Sequence, residues 1–383
     1  YIYSLDSCVG GIVGALREGT LENCENIDTQ VIGKYSVGGI VGQFSTGCIE
    51  IKNCKNSGNI TGEEYSGGGI AGSSKGNKIE NCYNCGNILT RGKSEKGNSQ
   101  AGGIVGAALS KIINCNNIGH IKGEGNLVGG VVGVAGGGGT SSTVQNCYNT
   151  GNVTGEGNYV GGVVGGENPS STVQDCYNTG NVTGEGNDVG GVVGLAGTSS
   201  TVQDCYNTGN VTGESNYVGG VVGVAANIVT KCYNTGTIVS KGIEGTGGIV
   251  GTCVSKNPQD ISLCFNAGTV QAPENAGGIS GYLGAQGYAA KETKCYNKGK
   301  VICTQSNTGR GEIIGKMASD ATVTNSYYFT NETSRYGVGT INDGGDIEAK
   351  RKGTQKTTTN LNSYEEFLTW IEQQEMVYNM VCE

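Results

Sequence analysis

The sequence is short of the residues that most chemistry needs. It holds one histidine (His120), one tryptophan, four phenylalanines and three prolines among 383 residues. One histidine leaves no HExxH pair and no multi-histidine metal site, and a His-based triad is not expected. Three prolines exclude collagen and polyproline. Charged residues make up 15%, against a usual level of about a quarter, so a charge-solvated disordered chain is excluded as well. No apolar run approaches the roughly 18 residues of a membrane span. The net charge of −8 is spread along the chain, which argues against nucleic acid and anionic membranes as partners.

What the sequence has is glycine, 72 residues of it, where about 7% is usual, and it has internal repeats. Residues 147–165 read CYNTGNVTGEGNYVGGVVG, and nearly the same string recurs at 176–194 and 205–223, a period of 29. In weaker form a GG-[IV]-[VAS]-G block ends at Gly14, Gly42, Gly72, Gly106, Gly133, Gly165, Gly194, Gly223, Gly251 and Gly281, with a degraded copy at Gly315. A C-x-N block starts at Cys24, Cys54, Cys82, Cys115, Cys147, Cys176, Cys205, Cys232, Cys264 and Cys295. In six of ten repeats, 18 residues separate the Cys from the last Gly of the next GG block. One insertion, near Leu89–Gln100, breaks that spacing.

Each repeat holds three β-like pieces, Val160–Gly165, Thr172–Asn178 and Asn181–Gly184 in one copy, bounded by Gly, Asn or Ser. Such a unit cannot bury a face alone, and stacking copies buries it. The expected fold is therefore all-β: a parallel β-helix, or β-solenoid, with three short strands per rung of about 30 residues and about 11 rungs. A right hand is expected from the handedness of parallel crossovers. A propeller blade needs about 40–45 residues, and the leucine-rich signature is absent. The solenoid is expected over residues 1–328, and a linker and capping segment with one short helix over 329–383. Ser363 and Glu366 form a capping box, which predicts a helix over about 364–376 packing Trp370 over the last rung. Residues 330–362, with the basic Lys350–Lys352, read as a solvated linker.

The GG-[IV]-V-G block, followed by an apolar-x-x-[CS]-Y-x-x-G-x-V unit, resembles the GLUG motif, with Cys where that family often has Ser. The resemblance covers residues 1 to about 328. It implies a bacterial extracellular protein, secreted or attached to the cell wall or surface. It is similar to adhesin-like proteins and to the repeats of IgA-specific metalloendopeptidases, whose HExxH site lies outside the repeats and has no counterpart here.

In-register stacking turns each repeated residue into a file. The Cys file is expected to be a reduced, buried ladder, because neighbours at the strand spacing of ~4.8 Å are too far apart for a disulfide, which wants a Cβ separation of about 3.8 Å. Cys8, Cys48, Cys85, Cys253, Cys303 and Cys382 lie off it. The Asn file, Asn26 to Asn297, reads as structural, through the left-handed conformation at a turn and through amide ladders. The aromatic file (Tyr83, Tyr148, Tyr177, Tyr206, Tyr233, Phe265, Tyr296, Tyr327) should face outward if the Cys faces inward. Tyr148, Tyr177, Tyr206 and Tyr233 are the candidate ligand-stacking residues, and the same rings could simply stabilise the sheet. Glu124, Glu156, Glu185 and Glu214 share a turn position that a divalent cation could bridge or water could solvate. Thr150, Thr179, Thr208 and Thr235, with Thr154, Thr183 and Thr212, form short files on good strand positions. No metal ion or cofactor is expected, and no catalytic residue is assigned.

The functional expectation is a non-catalytic extracellular scaffold of a bacterial surface protein, acting as adhesin stalk or interaction surface for a host protein or glycan. A monomer cut from a longer protein is expected, because Tyr1 begins inside a repeat. One alternative is a carbohydrate-active β-helix enzyme, for which Asp175, Asp188 and Asp204 depart from neighbouring rungs. Another is an accessory repeat domain of a larger secreted protease.

Overall fold

The computed structural model describes residues 1–382 apart from 5–6, 45–48, 77, 93–98, 254–258, 285–288, 307, 332–333 and 343–345, and leaves out the side chains of 49, 259 and 375–382. Five parallel sheets of 11, 12, 11, 12 and 11 strands run through it. Each sheet takes one strand per repeat, so equivalent residues fall in register. Tyr148 pairs with Tyr177 and Tyr177 with Tyr206, while Val153, Val182 and Val211 do the same one sheet away. With parallel strands ~4.8 Å apart, eleven turns make a rod roughly 50 Å long. The expected all-β parallel solenoid is the fold found.

The rung is cut more finely than the sequence suggested. Its strands are Val160–Gly161, Val164–Glu167, Thr172–Gln174, Tyr177–Asn178 and Val182–Gly184, five rather than three. Two of the three extended pieces contain a corner. The first turns at Gly162, where a Cβ would overlap the carbonyl oxygen of Gly191 and the amide of Asn178. The second turns at Asp175, which is left-handed with φ 54°. That slot, directly before the Cys, is left-handed in every rung from Asn23 to Asn325, and Asn or Asp fills it everywhere except at Lys231, Leu263 and Lys294. Asn and Asp adopt this conformation more readily than other side chains that carry a Cβ. The left-handed corner assigned to the C-x-N asparagine is thereby corrected, since Asn149 and Asn178 lie in strands. The glycine after it answers crowding, not φ: a Cβ on Gly180 would overlap the carbonyl oxygen of Gly151.

Val, Ile and the Cys file fill the main core, as in Val144, Val173, Val202, Cys147, Cys176 and Cys205. A second apolar file, Val153, Val182 and Val211 against Val160, Val189 and Val218, fills another corner of the rung.

The segment read as a linker is structured. Val338–Ile341 adds a twelfth strand to the sheet of Val164–Glu167, and Thr354–Thr357 does so for the aromatic sheet. Between them lies α1 (Ile347–Arg351), capped by Asp346, whose carboxylate accepts from the backbone N–H of Glu348 and Ala349. The basic patch works within this structure: the Arg351 guanidinium lies 3.7 Å over the Tyr336 ring. The capping box is present as expected, with Ser363 Oγ accepting from Glu366 N–H at 3.2 Å and Glu366 Oε2 from Asn362 N–H at 2.7 Å. The helix it opens, α2, runs over Tyr364–Cys382, longer than expected. It lies along the side of the rod, with Phe367 and Ile371 buried against Phe265 and Tyr296, and Trp370 packed edge-on to Tyr327. Among the described residues no helix is long and apolar enough to cross a membrane.

Candidate functional site

Just after the corner at Asp175, Cys176 packs in the core and the next side chain, Tyr177, faces the other way and is half-buried. Cys54, Cys82, Cys115, Cys147, Cys176, Cys205, Cys232, Cys264 and Cys295 are buried and free, and Cys24, in the first rung, is half-buried. Each thiol donates to backbone carbonyls, Cys147 Sγ to Gln145 O at 3.2 Å and to Ile112 O at 3.6 Å. Burial pushes the thiols of Cys115, Cys147, Cys176 and Cys205 well above their ordinary range, so they are inert as nucleophiles. The reduced ladder is as expected. Off it, Cys8, Cys85 and Cys303 are half-buried and Cys253 is buried, all free. Cys48 and the side chain of Cys382 lie outside the described residues.

The Asn file is an unbroken amide ladder. From Asn26 to Asn297 each Nδ2 donates to the Oδ1 of the next rung at 2.7–2.9 Å. The same Nδ2 reaches the carbonyl two residues on, as Asn149 does to Gly151 at 2.7 Å. Buried in the core with both Nδ2 hydrogens used, these amides are closed to a ligand.

In the aromatic file Tyr148, Tyr177, Tyr206 and Tyr233 are half-buried. Tyr148, Tyr177, Tyr206 and Tyr233 stack with centroids 4.9, 4.8 and 4.7 Å apart and planes 8°, 4° and 7° from parallel. Tyr364 of α2 continues the stack beyond Tyr233 at 5.0 Å. Inner rings thus have both faces against neighbours. Tyr177, Tyr206 and Tyr233 offer a ligand their edges and hydroxyls, while Tyr148 ends the stack, in register with Asn116. Burial pushes the phenol of Tyr233 up to about 12, and those of Tyr177 and Tyr206 above their ordinary range.

The carboxylates do not form one site. Asp175 and Asp204 are exposed corner residues, while Asp188 occupies a different left-handed file with Leu127, Tyr159 and Tyr217. Burial pushes Asp188 up to about 7. In the Glu file, Glu156 pairs with Lys122 at 3.0 Å and Glu214 with Lys241 at 2.6 Å. Lysines thus supply charge that a bridging cation would have brought. Among the described residues no group of three His, Cys, Asp or Glu side chains could hold a metal ion.

Besides the buried Glu312, which pairs with Arg335 at 3.3 Å, two interior carboxyls were missed from the sequence. Glu167 stands in register with Ala135, and Glu292 with Ile261 and Val323, both at core positions. Ser280 Oγ donates to Glu292 Oε2 at 2.5 Å. Burial pushes both carboxyls up to about 8, so both are neutral acids near pH 7. The signal was available, because Glu167 ends a GGVVGGE string where neighbouring repeats end in VA or LA.

Comparison with protein-family models matches residues 185–212 to the GLUG motif. No curated protein and no solved structure gives a match. The matched segment is one turn of the rod, Glu185 to Thr212, and turns in register with it extend in both directions; the chain is a GLUG-motif repeat protein.

Proposed function

We propose that this rod is a non-catalytic scaffold of a bacterial extracellular protein, secreted or held at the cell surface, serving as an adhesin stalk or interaction surface for a host protein or glycan. The observation that carries this reading is the continuity of the files. The Asn ladder is unbroken over ten rungs, and the carboxyls that depart from the repeat are scattered, Glu167 and Glu292 in the core and Asp175 and Asp204 at exposed corners. An inverting glycosidase needs two carboxylates about 6.5–9.5 Å apart, opening on a substrate. The outward faces instead present repeated Tyr, Thr, Asn and Glu, which suits a long, low-curvature contact. The test is a glycan and host-protein array run beside a polysaccharide hydrolysis screen. Binding without release of reducing sugar is the expected result, and turnover would overturn the reading. Antibody labelling of intact source cells tests the surface location.

A further inference from the structure

Asn59, Asn87, His120 and Asn152 form a file on the rod's surface, one per rung, each directly before a strand of the same sheet. All four are exposed. Each gives its acceptor to a backbone N–H of the next rung. Asn59 Oδ1 accepts from Asn87 at 3.0 Å and Asn87 Oδ1 from His120 at 2.9 Å. His120 Nδ1 accepts from Asn152 at 3.2 Å, and Asn152 Oδ1 from Asn181 at 3.1 Å. The histidine thus replaces an asparagine, and the bond fixes its tautomer: Nδ1 accepts, so Nε2 carries the hydrogen. What remains on the outside is N–H groups alone, three amide Nδ2 and one imidazole Nε2. Among the described residues none of these has a protein acceptor.

An open groove of about 560 Å³ lies along these four rungs. Its lining departs from the repeat. The strand position held by Thr61, Thr154, Thr183 and Thr212 in other rungs is Leu89 and Lys122 here. Leu89 stands two residues from Asn87, on the same face of the strand, and is half-buried. Lys122 is paired with Glu156 at 3.0 Å, so it brings no uncompensated charge. Among the described residues that line the groove there is no carboxylate.

Donors without acceptors favour a ligand rich in acceptor oxygens. The paired lysine and the net charge of −8 disfavour a polyanion. Among neutral sugar groups the acetamido carbonyl is a strong acceptor, and its methyl suits Leu89. The spacing fits a chain laid along the rod. A sugar in an extended β-linked chain advances by roughly 5 Å, close to the strand spacing of ~4.8 Å, so the drift over four rungs stays within about 1 Å. Successive sugars of such a chain turn over, so acetamido groups recur on one edge at every second sugar. Asn87 with Leu89, and Asn152, stand two rungs apart in the same way. His120, between them, meets the ring oxygen and hydroxymethyl group of the intervening sugar.

We infer that this groove binds a neutral, β-linked chain of N-acetylated hexosamines. The inference rests on reading the rod as an interaction surface for a glycan, and it names the glycan's chemistry and its place.

The probe is chitotetraose, titrated calorimetrically into the full chain beside cellotetraose and a tetrameric uronate. Chitotetraose is expected to bind saturably and at least about tenfold more tightly than either, with little dependence on salt. Asn87→Asp and Asn152→Asp keep an oxygen for the backbone N–H of the next rung and replace the outward donor by an acceptor. Each should weaken binding at least about tenfold while leaving the thermal midpoint unchanged. Leu89→Thr, the residue type of Thr61 and Thr154, should remove most of the preference for chitotetraose over cellotetraose. Absence of saturable binding, equal affinity for cellotetraose, tighter binding of the uronate, full binding by both Asp variants, or a preference that survives Leu89→Thr would each overturn the inference. Another glycan ligand found on the array beside a failed tetramer titration sinks the groove and leaves the scaffold reading intact, whereas hydrolysis of the bound tetramer does the reverse.

Discussion

Tyr233 and Tyr364 stack with ring centroids 5.0 Å apart and planes 25° from parallel. One ring belongs to the solenoid and the other to the helix beside it, so the outward tyrosine stack of the rod ends on a side chain 131 residues further along the chain. The Tyr364 hydroxyl donates to Leu263 O at 3.3 Å, and Tyr296 Oη donates to Thr359 O at 2.6 Å. Rings and backbone together tie the C-terminal segment to the rod's flank.

Phe367 is the buried anchor of that contact. Replacing a buried Phe by Ala costs about 3–5 kcal/mol, and here the loss falls on the docking of α2. Phe367→Ala should speed amide hydrogen exchange throughout α2 while leaving exchange in the Tyr148–Val211 rungs unchanged. Equal protection of α2 in variant and parent would refute the packing described.

The amide ladder predicts a contrast between two neighbouring asparagines. Asn178 donates to Gly180 O at 2.7 Å and to Asn207 Oδ1 at 2.9 Å, and accepts from Asn149 at 2.8 Å, all in the interior. Asn178→Ala strands these partners and should cost roughly 3 kcal/mol. Asn181 is exposed, and its Oδ1 accepts one backbone N–H, that of Asn210 at 3.1 Å. Asn181→Ala should cost about 1 kcal/mol or less. Chemical denaturation of both variants checks the order.

Stability should fall as pH rises from mildly acidic to alkaline. Glu167 and Glu292 are raised from 4.5 to about 8 in the fold. Between those values the folded state holds protons that the unfolded chain releases. The stabilisation is therefore complete below about pH 4.5 and lost by about pH 8, at up to about 1.4 kcal/mol per pH unit per group. Asp188, raised to about 7, acts in the same direction. Glu167→Ala, the residue found at Ala135 and Ala196, should flatten the profile and raise stability above pH 7. A parent profile that rises over this window would contradict the buried placement.

The left-handed corner makes Lys231 a poor fit at φ 53°. Lys231→Asn, which restores the residue type of most other rungs, should stabilise by about 1 kcal/mol, read as a raised thermal midpoint. No change would indicate that the corner is relaxed there.

The repeat period, parallel stacking, Cys and Asn files and capping box were legible because each is a one-dimensional pattern that stacking copies without change. The five-strand rung was not, because its corners depend on φ at Asp175 and on backbone crowding at Gly162, neither of which alters hydrophobic alternation. The Asn or Asp preceding most of the file's cysteines was the available sign. The side-on path of α2 was hidden for another reason: its partners, Phe265 and Tyr296, occupy the same file as tyrosines that stay half-buried without it. The linker reading failed because Val338–Ile341 and Thr354–Thr357 carry no GG or C-x-N punctuation, yet still pair with the last rung.

Register is tested most directly by a ladder of distances. Spin labels on non-canonical residues, which spare the native thiols, would be placed at Ser57 and in turn at Thr179, Thr208 and Thr235, one file on the rod's surface. These positions lie four, five and six turns from Ser57, so pulsed dipolar spectroscopy should give separations of about 19, 24 and 29 Å, growing by one strand spacing per repeat. Separations that fail to grow, or that change by unequal steps, would contradict the stacking on which every file described above depends.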